Sequence, residues 1–210
     1  MGINIYNIMK HLNPFKSYSI RKICDQYNIK NYTINKDGSI DVNGDVDLSV
    51  NELTEIPLKF KNVSRCFNCS HNELISLKGS PERVINFFGY YNQLATLEGG
   101  PKYVSEGFWC NSNQLTSLKG CPEIIYGDFN CHDNQILTFE YFPKHLGGRF
   151  YCEYNPIYKI WKLFRDKTKI ELFNDMDIIQ DDVVILDRLN YFLEEIGKNT
   201  IKSISGYKYI

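Results

Sequence analysis

Six asparagines stand at positions 51, 72, 92, 113, 134 and 155, separated by 21, 20, 21, 21 and 21 residues. Two residues after each comes Leu53, Leu74, Leu94, Leu115, Ile136 or Ile157, and five after it Ile56, Leu77, Leu97, Leu118, Phe139 or Ile160. Five residues before it stands Val46, Phe67, Phe87, Phe108, Phe129 or Phe150. A fixed period of this length dictates the architecture, because one unit of about 20 residues cannot bury its own apolar face and must stack on its neighbours. The chain is therefore expected to wind into a solenoid.

One unit, residues 107–125, shows how the coil is built. Phe108 and Cys110 alternate with Trp109 and Asn111, a period of two that reads as a short strand with the first pair inward and the second outward. Asn113 ends the strand, where a buried amide with two donors and an acceptor satisfies backbone groups freed as the chain turns. Leu115 and Leu118 return to the core, Gly120-Cys121-Pro122 makes the turn, and Ile125 closes the coil. The fold class expected is an α/β solenoid of six repeats, with a parallel β-sheet on one face. The convex side should be mostly extended or 3-10, with α-helical caps at both ends. Its divisions are 1–44 as N-terminal cap, 45–157 as repeats and 158–210 as C-terminal helical cap.

Charge is nearly balanced, 24 basic against 25 acidic side chains, which argues against a phosphate-backbone binder and makes nucleic acid a poor partner. No apolar run is long enough for a membrane span, and the first residues lack the plan of a signal peptide. Gly2 is not followed by the Ser or Thr at position 6 that myristoylation wants; Tyr6 is there instead. A cytoplasmic protein is expected. Of seven cysteines, Cys69, Cys110, Cys131 and Cys152 fall three residues before a ladder asparagine, an inward slot where a free thiol acts as a small hydrophobe. A metal reading of Cys66 and Cys69 is weakened because three-residue spacing on a strand points them to opposite faces in this register and no second pair has ligand spacing.

The units FNCSHNELISLKGSPERV and FWCNSNQLTSLKGCPEII resemble leucine-rich repeats, more narrowly the short repeats of bacteriophage and bacterial proteins of no assigned activity. The lead-in INKDGSIDVNGDVDLSVNELTEIP is similar to the start of those proteins, and the resemblance covers about residues 33–160. It implies a parallel-sheet solenoid and, for a phage protein, a bacterial host protein as partner and the host cytoplasm as location. Bacterial effectors with short leucine-rich repeats are more distant in pattern. The catalytic cysteine of their ubiquitin-ligase domains has no counterpart here, since no cysteine follows Cys152.

Outside the repeats, residues 19–27 read as a short amphipathic helix with Ile20, Ile23, Cys24 and Tyr27 on one face. Residues 31–35 and 39–42 read as strands joined at Lys36-Asp37-Gly38. A helix-turn-helix over 17–32 is the competing reading, disfavoured by the absent basic surplus. Residues 158–166 should be helical with Ile160, Trp161 and Phe164 buried. Residues 181–198 should form the clearest helix, started by Asp181 and Asp182 and ended by Gly197. The tail 200–210 alternates weakly, as a strand does. Asp175, Asp177, Asp181 and Asp182 lack the Gly and terminal Glu of a calcium loop.

No nucleophile, base and orienter converge in the sequence, no metal or cofactor motif is present, and no catalytic residue is assigned. In Cys131-His132-Asp133 the thiol should be buried and the imidazole outside. The outward columns are more informative. Four residues before each ladder asparagine come Asp47, Asn68, Phe88, Trp109, Asn130 and Tyr151; two before, Ser49, Ser70, Tyr90, Asn111, His132 and Glu153; one before, Val50, His71, Tyr91, Ser112, Asp133 and Tyr154. Exposed rings in such columns are typical of interface hot spots. The expected binding surface is Phe88, Tyr90, Tyr91, Trp109, Asn111, Asn130, His132, Tyr151, Glu153 and Tyr154, and the expected function is non-enzymatic protein binding, such as blocking a host defence factor. Two alternatives use the same residues: a small nucleotide stacked on the rings, with Asn68, Asn111, Asn130 and His132 bonding its edge, or a second copy of the chain in a homo-oligomer.

Overall fold

The structure is a computed structural model that describes residues 14–210. Gly2, Tyr6 and His11, with the rest of the first residues of the expected N-terminal cap, lie outside the described residues. The protein is mixed α/β with parallel sheets and few helices.

Helix α1 (Pro14–Gln26) leads into β1 (Tyr32–Ile34) and β2 (Ile40–Val42), which pair antiparallel around the Lys36-Asp37-Gly38 turn. The helix buries Ile20 and Cys24 and runs straight into a turn and a strand, so no second helix forms over 17–32. From position 46 each 20–21-residue unit contributes two short strands to two different sheets. β3 (Val46–Asp47), β5 (Cys66–Asn68), β7 (Asn86–Phe88), β9 (Phe108–Trp109), β11 (Phe129–Asn130) and β13 (Phe150–Tyr151) make a six-stranded sheet. β4 (Phe60–Val63), β6 (Arg83–Val84), β8 (Tyr103–Val104), β10 (Ile124–Ile125) and β12 (His145–Leu146) join β2 and β1 in a seven-stranded one. Apart from β1–β2, every pairing in both sheets is parallel and steps one unit along the chain.

The second sheet corrects the expectation of a single sheet backed by extended chain. Val84, Val104, Ile125 and Leu146 are buried as expected, but each sits in a two-residue strand rather than closing the coil alone. The cause is the period itself: any extended segment repeated every 20–21 residues lands beside its own copy. Its backbone then finds partners in the neighbouring unit. Gly120, in a left-handed conformation (φ 86°), lets the turns nest, since a Cβ there would come within 2.3 Å of the Glu98 backbone nitrogen.

Between the sheets runs a column of rings. Phe67, Phe87, Phe108, Phe129 and Phe150 succeed one another at centroid spacings of 5.7, 5.2, 5.7 and 5.4 Å. Burying each is worth roughly 2–3 kcal/mol. Beside them Cys69, Cys110, Cys131 and Cys152 are fully buried, as their slot predicts. Burial drives their thiols away from ionisation, that of Cys69 up to about 12.

The column does not stop at the last unit. Phe150 meets Trp161, and Phe139 meets Trp161 and Phe164 of α2 (Tyr158–Phe164) and Phe173 of α3 (Ile170–Asp175), all edge-on. Phe164 and Phe173 stack on each other at 5.9 Å, and both meet Phe192 of α4 (Leu186–Glu195) edge-on. The helix expected over 181–198 begins later, at Leu186. Asp181 and Asp182 instead form the turn between β14 (Ile179–Gln180) and β15 (Val183–Val184), with Asp181 left-handed at φ 55°. Pairing of Val183 and Val184 with β14 outweighs helix-start chemistry there. Gly197 does end the helix, at φ 70°. The tail forms β16 (Lys208–Tyr209), parallel to β15, and the Tyr207 hydroxyl donates to the Leu137 carbonyl at 2.7 Å.

Candidate functional site

The ladder asparagines set the geometry of the surface above them. Asn134 Nδ2 donates to the carbonyls of Cys110, Cys131 and His132 at 3.1–3.2 Å, while its Oδ1 accepts from the Leu115 N–H at 2.9 Å. Asn92, Asn113 and Asn155 repeat the arrangement one unit apart. Each amide thus ties its own turn to the preceding unit and holds the residue before it in one conformation. That residue is left-handed in all six units: Val50, His71, Tyr91, Ser112, Asp133 and Tyr154 have φ between 52° and 58°. Such a conformation costs an L-residue about 1–2 kcal/mol and suits Gly or Asn. A β-branched Val and two tyrosines occupy it here, with Val50, Tyr91 and Tyr154 respectively 74%, 53% and 82% exposed. The strain has no return in burial.

The outward row of the six-stranded sheet is in direct register, Asp47 beside Asn68, Phe88, Trp109, Asn130 and Tyr151 in turn. Phe88 and Trp109 stack at 4.8 Å with their planes 11° apart. Tyr90 meets Phe88 edge-on at 6.3 Å and Tyr91 at 5.8 Å. His71 then stacks on Tyr91 at 4.7 Å and meets Tyr90 at 5.3 Å. Five rings from three consecutive units therefore form one unbroken strip. His71 is the member that sequence reasoning left out of the surface, although its place in the column one before the asparagine was the available signal. Gly107 makes room for the indole, since a Cβ there would fall 1.9 Å from Trp109.

The other residues of the expected surface divide. Tyr151 lies two strands beyond Trp109, with Asn130 between them, and its hydroxyl is 3.5 Å from an Arg149 guanidinium nitrogen. Tyr154 and Asp133 are exposed, and Glu153 is half-buried. Asn111 is only 7% exposed and offers little surface. Asn68 Oδ1 accepts from the backbone and hydroxyl of Ser70 at 3.1 and 2.7 Å. Asn130 Oδ1 does the same for the His132 N–H at 3.1 Å, with His132 Nδ1 at 2.7 Å. An acceptor that close places a proton on Nδ1.

Cys131 is buried with its thiol pushed well up by burial, while the neighbouring His132 and Asp133 belong to the outward columns. No thiol–imidazole pair is assembled there. Among the described residues no group of three or more His, Cys, Asp or Glu side chains is placed to hold a metal ion, and no helix is long and apolar enough to cross a membrane. Comparison with protein-family models, with curated proteins and with solved structures gave no match.

Proposed function

We propose that this chain is a leucine-rich-repeat solenoid, closed at its ends by α1 and by the α2–α4 segment, that holds a protein partner on the outward face of its six-stranded sheet. The observation that carries this reading is the strip His71, Tyr91, Tyr90, Phe88 and Trp109, contiguous across three units and partly mounted on strained left-handed residues. Rigid aromatic side chains lose little entropy on docking and dominate interface energetics. Residues kept in a conformation that glycine would adopt at lower cost are selected for their side chains rather than for the fold. The resemblance to phage proteins directs the search to bacterial host proteins, such as a defence factor. All seven cysteines are free thiols, which suits the reducing cytoplasm.

The nucleotide alternative on this face draws on fewer groups than the sequence suggested. The Oδ1 atoms of Asn68 and Asn130 are engaged locally and Asn111 is buried. The test is affinity capture from bacterial lysate with the full chain and with a Trp109→Ala, Tyr90→Ala double variant, followed by mass spectrometry. A protein held by the native chain and lost by a variant that still unfolds cooperatively supports the reading. Equal capture by both chains sinks it. Nucleotide released on heat denaturation, or a mass by light scattering that rises with concentration, would point to the ligand or self-assembly alternative instead.

A further inference from the structure

A second feature lies at the end of the same sheet. β13 is its edge strand. The parallel register sends the Phe129 N–H to the Arg149 carbonyl and the Cys131 N–H to the Tyr151 carbonyl. The matching N–H on β13, that of Phe150, is therefore turned away from β11 toward the free edge. There a cleft of about 430 Å³ opens between β13 and the chain around α2. Trp161 packs edge-on against Phe150 at 5.3 Å, and Tyr151 and Tyr158 stand half-buried in the walls.

The charges around this cleft are unevenly used. Lys167 spends its ammonium on the carbonyls of Gly147 and Gly148 at 3.1 and 2.5 Å. Asp166 accepts from the backbone and hydroxyl of Thr168 at 3.0 and 2.7 Å. The two arginines are different. Both are exposed: Arg149 has the long 3.5 Å contact to the Tyr151 hydroxyl and feels the Asp128 carboxylate, and Arg165 has no hydrogen bond or ion pair from its side chain to any described residue. Arg165 also ends α2 in a left-handed conformation (φ 49°), the position that glycine usually fills. Two exposed guanidinium groups line this one cleft, that of Arg165 on a left-handed residue and without a partner among the described residues, and they give the cleft a positive side. The larger cleft of about 760 Å³ on the other side of Lys167 lacks this. Its lining holds no arginine and its Lys144 is paired with Glu123 at 3.1 Å; two carboxylates line each cleft, Glu171 and Asp175 here, Glu153 and Asp166 in the smaller one.

We propose that the β13–α2 cleft binds a small planar-ring anion, its phosphate or carboxylate held by Arg149 and Arg165 and its ring laid against Tyr151 and Tyr158. Glu153, on the same wall, accepts from an amino or hydroxyl group of the ring. The volume suits a ligand of mononucleotide size or smaller. Guanidinium groups read phosphate and carboxylate alike, so both sources share this chemistry. The site contains none of the five contiguous rings, and either proposal can fail without the other.

Calorimetric titration of the full chain with adenosine 5′-monophosphate, benzoate, adenosine and inorganic phosphate tests it. Saturable binding of either ring anion, at least about tenfold tighter than adenosine or phosphate alone, is the expected result, and the tighter anion identifies the source. Arg149→Gln should weaken that binding about tenfold or more. Arg165→Gly should do the same while raising the melting temperature, because it relieves the left-handed strain. The opposite signs separate lost recognition from lost folding. No saturation by either ring anion to about 10 mM, phosphate binding as tightly as the ring anions, or undiminished binding by Arg165→Gly would each overturn the proposal.

Discussion

Replacing Asn134 by Ala isolates what one rung of the asparagine ladder is worth. The side chain is 7% exposed and makes four contacts, three from Nδ2 to the carbonyls of Cys110, Cys131 and His132 and one at Oδ1 from the Leu115 N–H. Two amide hydrogens are shared among three carbonyls, so the effective loss is about three neutral hydrogen bonds at roughly 1 kcal/mol each. The Leu115 N–H is also left facing a cavity, which keeps the cost at the upper end. A loss of about 3–4 kcal/mol is expected, a large part of the 5–15 kcal/mol typical of a folded domain. For a chain of this size that is a fall of about 6–16 °C in melting temperature. Asn51→Ala provides the control. Asn51 is exposed, its Nδ2 makes one bond, to the Ser49 carbonyl, and its loss should cost under about 1 kcal/mol. Urea titration of the three chains, with hydrogen exchange at Leu115 as a local readout, decides the matter. If Asn134→Ala costs no more than Asn51→Ala, or Leu115 exchange is unchanged, the ladder does not hold the units together.

Three further outcomes follow from the same geometry. Val50→Gly should raise stability by about 1 kcal/mol in a urea titration, since a β-branched residue at φ 56° and 74% exposure is strained without compensation; no gain would mean that the column is not strained. Burial raises the ladder thiols, that of Cys69 to about 12, so the unfolded chain loses its thiol protons first. Stability from this source is complete below the unfolded thiol value of about 8.5 and declines as pH rises from there towards 12; a chain equally stable at pH 8 and pH 10.5 would contradict it. Tyr207→Phe removes the donor to the Leu137 carbonyl and should cost about 1–2 kcal/mol, visible as faster proteolysis of the tail; unchanged proteolysis would show that the bond does not anchor it.

The places where sequence and structure diverge share a cause. Sequence spacing assigned Trp109 outward and Cys110 inward correctly because a strand alternates strictly, and a period of 20–21 residues copies that alternation from unit to unit. It did not reveal the second sheet, since Val84 or Ile125 in isolation is too short a segment to show alternation. Pairing with the next coil is what makes it a strand. The late start of α4 has the same origin, because Val183 and Val184 gain partners in β14 and β16 that a local reading cannot supply.

From the sequence alone came the stacking period, the inward facing of the repeated Phe and Leu positions, the buried thiols and the column in which the exposed rings would stand. All of these follow from local alternation repeated by translation; Ser70 and Asn111, assigned outward, are buried. Tertiary structure decided which of those rings touch, joining His71 to Tyr91 and separating Tyr151 from Trp109. It also engaged Asn68 and Asn130 in local bonds, buried Asn111, and set Arg165 with no partner for its side chain beside an open cleft. The facing of a side chain is fixed by its own backbone. Its neighbours are fixed by rotamers and distances across coils, which spacing along the chain does not encode.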